Sequence, residues 1–385
     1  MANNSSLASA RRNKNDEFYT VYDFIQKEIN AYLEYDPDVF RGKTVLLPCD
    51  DPEWSNFTRF FAQNFETLGL KKLISTSFAA DSKPSTIPYQ LTFFETDNPQ
   101  YDENKTRSNG KIFTLTRKKS KNIDIDDLEW SYLEGDGDFR SAEVTALRDQ
   151  ADIIVTNPPF SLFREFVAWA LEKEKSLLII GSQNAITYKE LFPLICANRL
   201  WLGVTCNDAD MVFEVPENAD VKQSDRDKAA KMGYVGNYTR LGNACWFTNL
   251  DHGRRHQSIP LMTMADNLKF SKHKTILLHG YSEYCNLDGC IEVPFVDAIP
   301  SDYKGLMGVP ITFIAKYCPE QFEIVGCADA DVLPDGWVGL SSEFIRLYYE
   351  QGNTGQYTEG NRLAGFIDAE GNAKVPYKRI IIKKI

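Results

Sequence analysis

Asp152-Ile153-Ile154-Val155-Thr156-Asn157-Pro158-Pro159-Phe160 is the stretch whose reading decides the fold. Its first half is an apolar, β-branched run, the composition of a buried strand. Its second half ends that strand abruptly. Neither Pro158 nor Pro159 has an N–H to give to a ladder, and each has a fixed φ, so the chain must leave the sheet there. Open α/β sheets place their ligands at the carboxyl ends of their strands. The turn that is presented at that end has a definite chemistry. The Asn157 side-chain oxygen and the Pro158 carbonyl are two acceptors close together, and the Phe160 ring is an apolar face. Such a turn suits a planar group that carries an exocyclic amine, with two N–H donors for the acceptors and a ring to stack.

Working outward, the flanking chain reads as alternating strands and helices. Lys43 to Leu47 is a short strand, and Asp51-Pro52 opens a helix with Pro52 in its first turn. Trp54, Phe57, Phe60, Phe61, Phe65 and Leu68 form the apolar stripe of that helix, and Gly69 closes it. Lys72 to Phe78 is a second strand. Residues 82–122 break the rhythm: Gln90–Phe94 and Ile112–Thr116 are strand-like within polar sequence, and they predict an inserted basic hairpin that decorates the sheet. Trp130–Leu133 resumes the core, a helix over 142–148 leads to the decisive strand, and a second helix-like stretch follows it over 161–174. Ser176–Ile180 is the next strand. Leu200–Val204, Met211–Val215 and Ala244–Asn249 then suggest an antiparallel edge. From His252 onward the pattern is irregular and yields no fold beyond mixed α/β.

The chain has 385 residues, 43% hydrophobic and 25% charged, an ordinary globular composition with ample core. It has no apolar run of the roughly 18 residues that a membrane span requires. The polar segment 1–15 lacks the apolar stretch of a signal peptide and reads as a flexible arm, so a cytoplasmic location is expected. The eight cysteines include no CxxC pair, and the four histidines show no ligand spacing, so neither a metal nor a disulfide framework is expected. The net charge of −11 argues against nucleic acid only weakly, because phosphate affinity depends on local clusters. Cationic clusters occur at 105–121, with Arg117, Lys118 and Lys119, at Arg254-Arg255, and at Lys272 with Lys274. Each reads as either a solvated face or a phosphate contact.

A collinear series of blocks accompanies the decisive turn: Asn15–Thr20, Cys49-Asp50-Asp51-Pro52 with Ser55-Asn56-Phe57, Leu68–Ile74, Gly135–Ser141, Ile186–Glu190, Trp201–Val204 and Met307–Phe313. With Asn157–Phe160, these resemble the EcoRI modification methylase family of DNA adenine-N6 methyltransferases over most of the chain. The resemblance implies a Rossmann-like, S-adenosylmethionine-dependent methyltransferase fold, with a seven-stranded sheet containing one reversed strand. A catalytic domain is then expected over 16–251 and a target-recognition region over 252–385. It implies double-stranded DNA as partner, and a cognate restriction endonuclease that forms no stable complex with the enzyme.

The same resemblance assigns Cys49, Asp50 and Asp51 to the cofactor loop, where most methyltransferases carry glycines. Asp50 could accept from the cofactor's ammonium; Asp51 equally reads as a helix cap. Asp138 is implied to accept from the cofactor's adenine amine, with Phe139 against that ring. Asp16, Phe18, Tyr19 and Thr20 are implied to close over the methionine end, although Phe18 and Tyr19 equally read as core. Asn157 is shared by cofactor and target. The acid that commonly holds the ribose after the second strand is missing, since Ser75–Phe78 is neutral. Transfer is expected to be direct, to an adenine flipped out of the duplex and stacked on Phe160. The alternatives are an RNA-base methyltransferase on the same fold, a catalytically silent DNA-binding protein, and a nicotinamide dehydrogenase. The last lacks its G-x-G-x-x-G after the first strand.

Overall fold

The structure, a computed structural model, describes residues 18–50, 55–79, 100–117, 129–206, 210–217 and 219–385. Asp16, Asp51, Pro52, Lys118, Lys119, the run Gln90–Phe94 and the expected arm over 1–15 lie outside the described residues. The chain forms two units: one holds the described residues up to Gln183 together with Leu202–His252, the other Asn184–Trp201 with Gly253–Ile385. The segment 184–201, expected inside a continuous catalytic domain over 16–251, thus clusters with the C-terminal unit.

The strands up to His252, in chain order, are β1 (Tyr19–Thr20), β2 (Thr44–Leu47), β3 (Lys72–Ser77), β4 (Lys111–Thr116), β5 (Glu129–Tyr132), β6 (Ile153–Thr156), β7 (Ser176–Ser182), β8 (Trp201–Leu202, of which Leu202 belongs to the first unit), β9 (Met211–Glu214), β10 (Tyr238–Leu241) and β11 (Ala244–Thr248). The main sheet has eight strands in the order β5-β4-β3-β2-β6-β7-β11-β8, not the expected seven. β3, β2, β6 and β7 are mutually parallel. All four residues of β2 and of β6 are buried, as centrally placed parallel strands require. The chain passes from β2 to β3 on one side, and β6 lies on the other. The carboxyl end of β2 is therefore a topological switch point.

Two expectations are corrected here. Ile112–Thr116 is not one arm of a decorating hairpin. It lies within β4, paired antiparallel to β3 and to β5. Its side chains alternate between buried and half-buried, so it was a sheet strand by period all along. It also adds a second reversed strand to that of β11, which runs antiparallel to β7. Met211–Val215 does not join the main sheet: β9 pairs with β1 and β10 in a separate three-stranded sheet.

The helices that cover the sheet follow from their apolar spacing. Helix α1 (Tyr22–Tyr35) buries Ile25, Glu28, Ile29 and Tyr32, one face of a 3.6-residue period. Helix α2 (Asn56–Gln63) starts at a Ser55 cap; Ser55 Oγ accepts from the Phe57 N–H at 3.1 Å. Phe57, Phe60 and Phe61 join one continuous core with residues of α1, β2, β3, β6 and β7. Helices α3 (Ala142–Gln150) and α4 (Phe163–Leu171) flank β6 in sequence.

The C-terminal unit, irregular by pattern, contains β12 (Cys290–Glu292), β13 (Leu306–Pro310), β14 (Phe322–Gly326), the pair β15 (Phe366–Ile367) and β16 (Ala373–Lys374), and β17 (Arg379–Lys384). Four of these strands form a mixed sheet in the order β12-β13-β17-β14. The helical turn Phe192–Cys196 lies against β14, which accounts for the membership of 184–201 in this unit. Across the sheet, buried Glu292 accepts from Arg379 (Nη2 to Oε1, 2.6 Å) and from the Tyr284 hydroxyl at 2.5 Å. No helix among the described residues is long and apolar enough to cross a membrane.

Candidate active site

A cavity of about 320 Å³ opens at the carboxyl ends of β2, β3 and β6. Its wall brings together much of what the sequence singled out: Phe18, Tyr19 and Thr20 from β1 and its approach, Cys49 and Asp50 after β2, Asp138 and Phe139 after β5, and Asn157 and Pro159 after β6.

The Asn157–Phe160 turn is held from behind. The Asn157 side-chain amide donates Nδ2–H to the Phe18 carbonyl at 2.7 Å, which fixes the orientation of the amide. Its Oδ1 is buried and has no hydrogen-bond partner. A native structure rarely leaves a buried acceptor unmet, and such an atom calls for a ligand or a water. The Pro159 carbonyl accepts from the Leu162 N–H at 2.9 Å and so closes the short 3₁₀ turn that begins at Phe160. The Phe160 ring is half-buried, packs on the main core and stacks on Phe18, with centroids 6.0 Å apart and planes 22° apart. Phe160 does not line the cavity itself; Phe18, its stacking partner, does.

Asp50 is buried, and both carboxylate oxygens are engaged. Oδ1 accepts from Ser55 Oγ at 2.7 Å and Oδ2 from Thr156 Oγ1 at 2.5 Å. The carboxylate also lines the cavity. The neighbouring Cys49 thiol has its pKa pushed up, by burial first and by the Asp50 carboxylate second, so it is neither a thiolate nor a nucleophile.

Asp138 reaches the cavity although β5 is the far edge of the sheet. The loop after β5 is laid across the ends of β4 and β3 by Gly110 N–H to Gly135 O at 2.9 Å and Ala79 N–H to Asp136 O at 2.7 Å. The approach is close enough to demand glycine: a Cβ on Gly137, whose φ is +84°, would lie 2.2 Å from the Ser77 carbonyl oxygen. Arg140 then grips the Asp138 carboxylate with two nitrogens, Nε to Oδ1 at 2.9 Å and Nη2 to Oδ2 at 2.6 Å. Those hydrogen bonds hold the Asp138 carboxyl below the usual carboxylate range, against the opposing effect of partial burial. Phe139 is buried edge-on to Phe166 and Trp169 and shows its remaining face to the cavity.

Several wall residues had not been assigned a role from the sequence: Ser55, Asn56, Phe57, Phe78, Gly137 and Leu162. Asn56 ties α2 to β1 by donating Nδ2–H to the Thr20 carbonyl at 2.9 Å. Thr20 Oγ1 is a second buried polar atom without a partner on this wall. Phe78 occupies the place after β3 where a ribose-binding acid was sought.

The cationic residues fare unequally. Arg117 is exposed and makes one long contact, Nη2 to Glu66 Oε2 at 3.4 Å. Lys111, part of the same cluster, is buried beneath the Trp130 ring and is removed from any phosphate surface. In the C-terminal unit Arg255 is buried, lies 3.7 Å over the Trp201 ring and donates to Asn198 Oδ1, so its guanidinium is structural. Arg254 adjoins it in the same 3₁₀ turn. Lys272 is exposed but bonded to Asp297 at 2.7 Å, and Lys274 is exposed.

The sequence matches the family described as adenine-specific methyltransferase EcoRI across residues 6–385. The chain belongs to that family. Its relatives include the Type II methyltransferase M.EcoRI of Escherichia coli, 38% identical over 325 residues that cover 84% of this chain and 89% of that one. M.MpnI of Mycoplasma pneumoniae is 34% identical over 319 residues, 83% and 84% of the two chains. M.MgeORF184P of Mycoplasma genitalium is 32% identical over 381 residues, 97% of each. No solved structure matches the chain. The protein is therefore an adenine-specific DNA methyltransferase that draws on a methyl donor, and the mixed α/β sheet is that of its class.

Proposed function

We propose that the enzyme transfers a methyl group from S-adenosylmethionine to N6 of an adenine flipped out of double-stranded DNA, and that Asn157 carries the transfer. The supporting observation is the unmet Oδ1 of Asn157 at the cavity wall, fixed in direction by the bond from Nδ2 to Phe18. The residues present suit the cofactor. Phe57, Phe78, Phe139 and Leu162 offer apolar surface for a purine, Asp138 an acceptor for its amine, and Asp50 a counter-charge for an ammonium. Thr20 Oγ1 offers one further polar contact. When bound, the cofactor supplies an electrophilic methyl on a sulfonium.

The chain's own residues supply positioning and charge stabilisation. Adenine N6 is a weak nucleophile because its lone pair is delocalised into the ring. Asn157 Oδ1 and the Pro158 carbonyl accept its two N–H bonds. This draws the nitrogen towards sp³ geometry and directs its lone pair at the methyl carbon. Positive charge arriving on the nitrogen would be stabilised by the two acceptors, and one N6 proton would pass to solvent. A base inside the duplex cannot reach this cavity, so flipping precedes transfer. Phe160, backed by Phe18, is the proposed stacking face. Arg117, Arg254 and Lys274 are the proposed phosphate contacts, with Lys118 and Lys119 beside Arg117 in sequence.

The Type II names of all three relatives support a partner endonuclease that acts on the same site without a stable complex. A DNA substrate puts the working enzyme in the cytoplasm of cells like those of its relatives. Sequencing with N6-methyladenine detection on DNA from cells that express the protein tests the reading. A single modified adenine context is expected, lost with Asn157→Ala; unmodified adenine throughout would refute it.

A further inference from the structure

Asp50 joins three elements. Through Ser55 it holds the cap of α2. Through its backbone carbonyl it accepts from Ser75 Oγ of β3 at 2.5 Å, and Ser75 Oγ lies 2.9 Å from Thr58 Oγ1 of α2. Through Oδ2 it accepts from Thr156 Oγ1, at the end of β6. Of these three, only the Thr156 connection leads directly into the catalytic turn, because the residue bonded to Thr156 is Asn157.

The choice of threonine at this point calls for a reason. Residues 153–155 are Ile, Ile and Val, and Thr156 is as fully buried as its neighbours. Valine would pack there equally well, and a buried hydroxyl is costly unless it is hydrogen-bonded. Its bond goes to the carboxylate that faces the cavity.

We propose that Thr156 is a positioning residue that couples cofactor occupancy to the alignment of Asn157 for the target amine. The proposal rests on the reading of Asp50 as counter-charge to the cofactor's ammonium. A cation drawn to the Asp50 carboxylate pulls on the same group that accepts from Thr156 Oγ1. That fixes the direction in which Thr156 donates, and with it the point from which the turn leaves β6. Coupling of this kind is reciprocal: whatever factor the cofactor adds to the binding of the extruded base, the base adds to the binding of the cofactor.

The test uses the full chain, the cofactor product S-adenosylhomocysteine, and a duplex carrying 2-aminopurine at the methylated position. In the wild type, S-adenosylhomocysteine should tighten binding to this duplex about tenfold, within the usual range of coupling factors. Thr156→Val should bring that ratio to within about twofold of one and lower kcat about tenfold, while cofactor affinity falls less than about fivefold. Thr156→Ser, which restores the hydroxyl, should recover both. Ser55→Ala removes the other hydroxyl on Asp50 without touching the turn, so it should weaken cofactor binding and keep the ratio. If valine is not accommodated, Thr156→Ala reads the same quantities. A wild-type ratio of one overturns the proposal. So does a Thr156→Val enzyme that melts lower but keeps its ratio and kcat, which is what a purely structural role produces. Asp50→Asn, measured in parallel, tells the two readings apart. Weakened cofactor binding there, with an unchanged ratio in Thr156→Val, overturns the coupling alone. Unchanged cofactor binding overturns the assignment of Asp50 and the coupling with it.

Discussion

Asn157→Ala separates the two duties of one side chain. On the folded protein it removes a single hydrogen bond, Nδ2–H to Phe18 O at 2.7 Å. Such a bond contributes about 1 kcal/mol, a drop of roughly 2–4 °C in melting temperature for a domain of this size. On the proposed reaction it removes one of two preorganised groups assigned to meet charge developing at the transferring nitrogen. Loss of one such group in other enzymes lowers kcat by about 10²–10³, or roughly 3–4 kcal/mol of barrier. The assay is single-turnover transfer of radiolabelled methyl to duplex DNA, with cofactor affinity measured by calorimetry on the same preparation. Expected are a kcat at least about a hundredfold lower, a cofactor Kd within a few-fold of wild type, and a melting temperature within a few degrees. A rate within about tenfold of wild type would falsify the assignment of Oδ1 to the target amine. A large fall in melting temperature would show that the residue's main work is to hold β1.

Three further outcomes follow from the geometry. Gly137→Ala should destabilise the protein and weaken cofactor binding together, because a Cβ 2.2 Å from the Ser77 oxygen pushes the Asp138 loop off β3; wild-type values in calorimetry and melting would remove that argument. The Asp138 carboxyl, held low by Arg140, contributes stability that is present above its ordinary value of 3.8 and is lost as pH falls through the lowered one. Arg140→Ala should move its titration, followed by carboxyl NMR, upward towards that ordinary value, and an unmoved midpoint counts against the pair. Thr20→Val replaces an unmet buried hydroxyl with a methyl group. It should leave the cofactor-free protein as stable or about 1 kcal/mol more so, yet bind cofactor more weakly; thermal shifts with and without cofactor read both.

The parts of this molecule legible in sequence were those fixed by local chemistry. The strand–Asn–Pro–Pro turn and the strand–helix–strand opening fell where periodicity and turn residues put them, while Asp50 after β2 and Asp138 after β5 were reached through the family resemblance. What escaped was set by long-range partners. Nothing local says that β9 pairs with β1 and β10 rather than with the main sheet. The alternation in β4 was visible, but its pairing with β3 and β5 depends on chain more than thirty residues away on one side. The cluster at 105–121 was read as a face, yet Lys111 takes a buried position because β4 is an inner strand of the sheet. Arg255 likewise belongs to Trp201 and not to solvent. Phe78 was passed over because the search there was for an acid.

The polar economy of the site explains why it can be both rigid and receptive. Each polar group at the back of the cavity is matched: Asp50 by two hydroxyls, Asp138 by Arg140, the Phe18 and Thr20 carbonyls by two asparagine amides. Two atoms on the same wall, Asn157 Oδ1 and Thr20 Oγ1, are not. The matched groups behind them, the Asn157 and Asn56 amides on the Phe18 and Thr20 carbonyls, hold this wall in place. The Asn157 amide shows the logic most directly. Its donor half is fastened to the backbone of β1, so its acceptor half cannot turn away to find a partner within the protein. A ligand that brings a donor to that atom meets an acceptor already fixed in direction. An exocyclic amine does so, and its demand for an acceptor grows as positive charge develops on its nitrogen. Under the proposed transfer, the same arrangement discriminates in favour of the transition state over the bound substrate, which is the condition for raising kcat and not merely affinity.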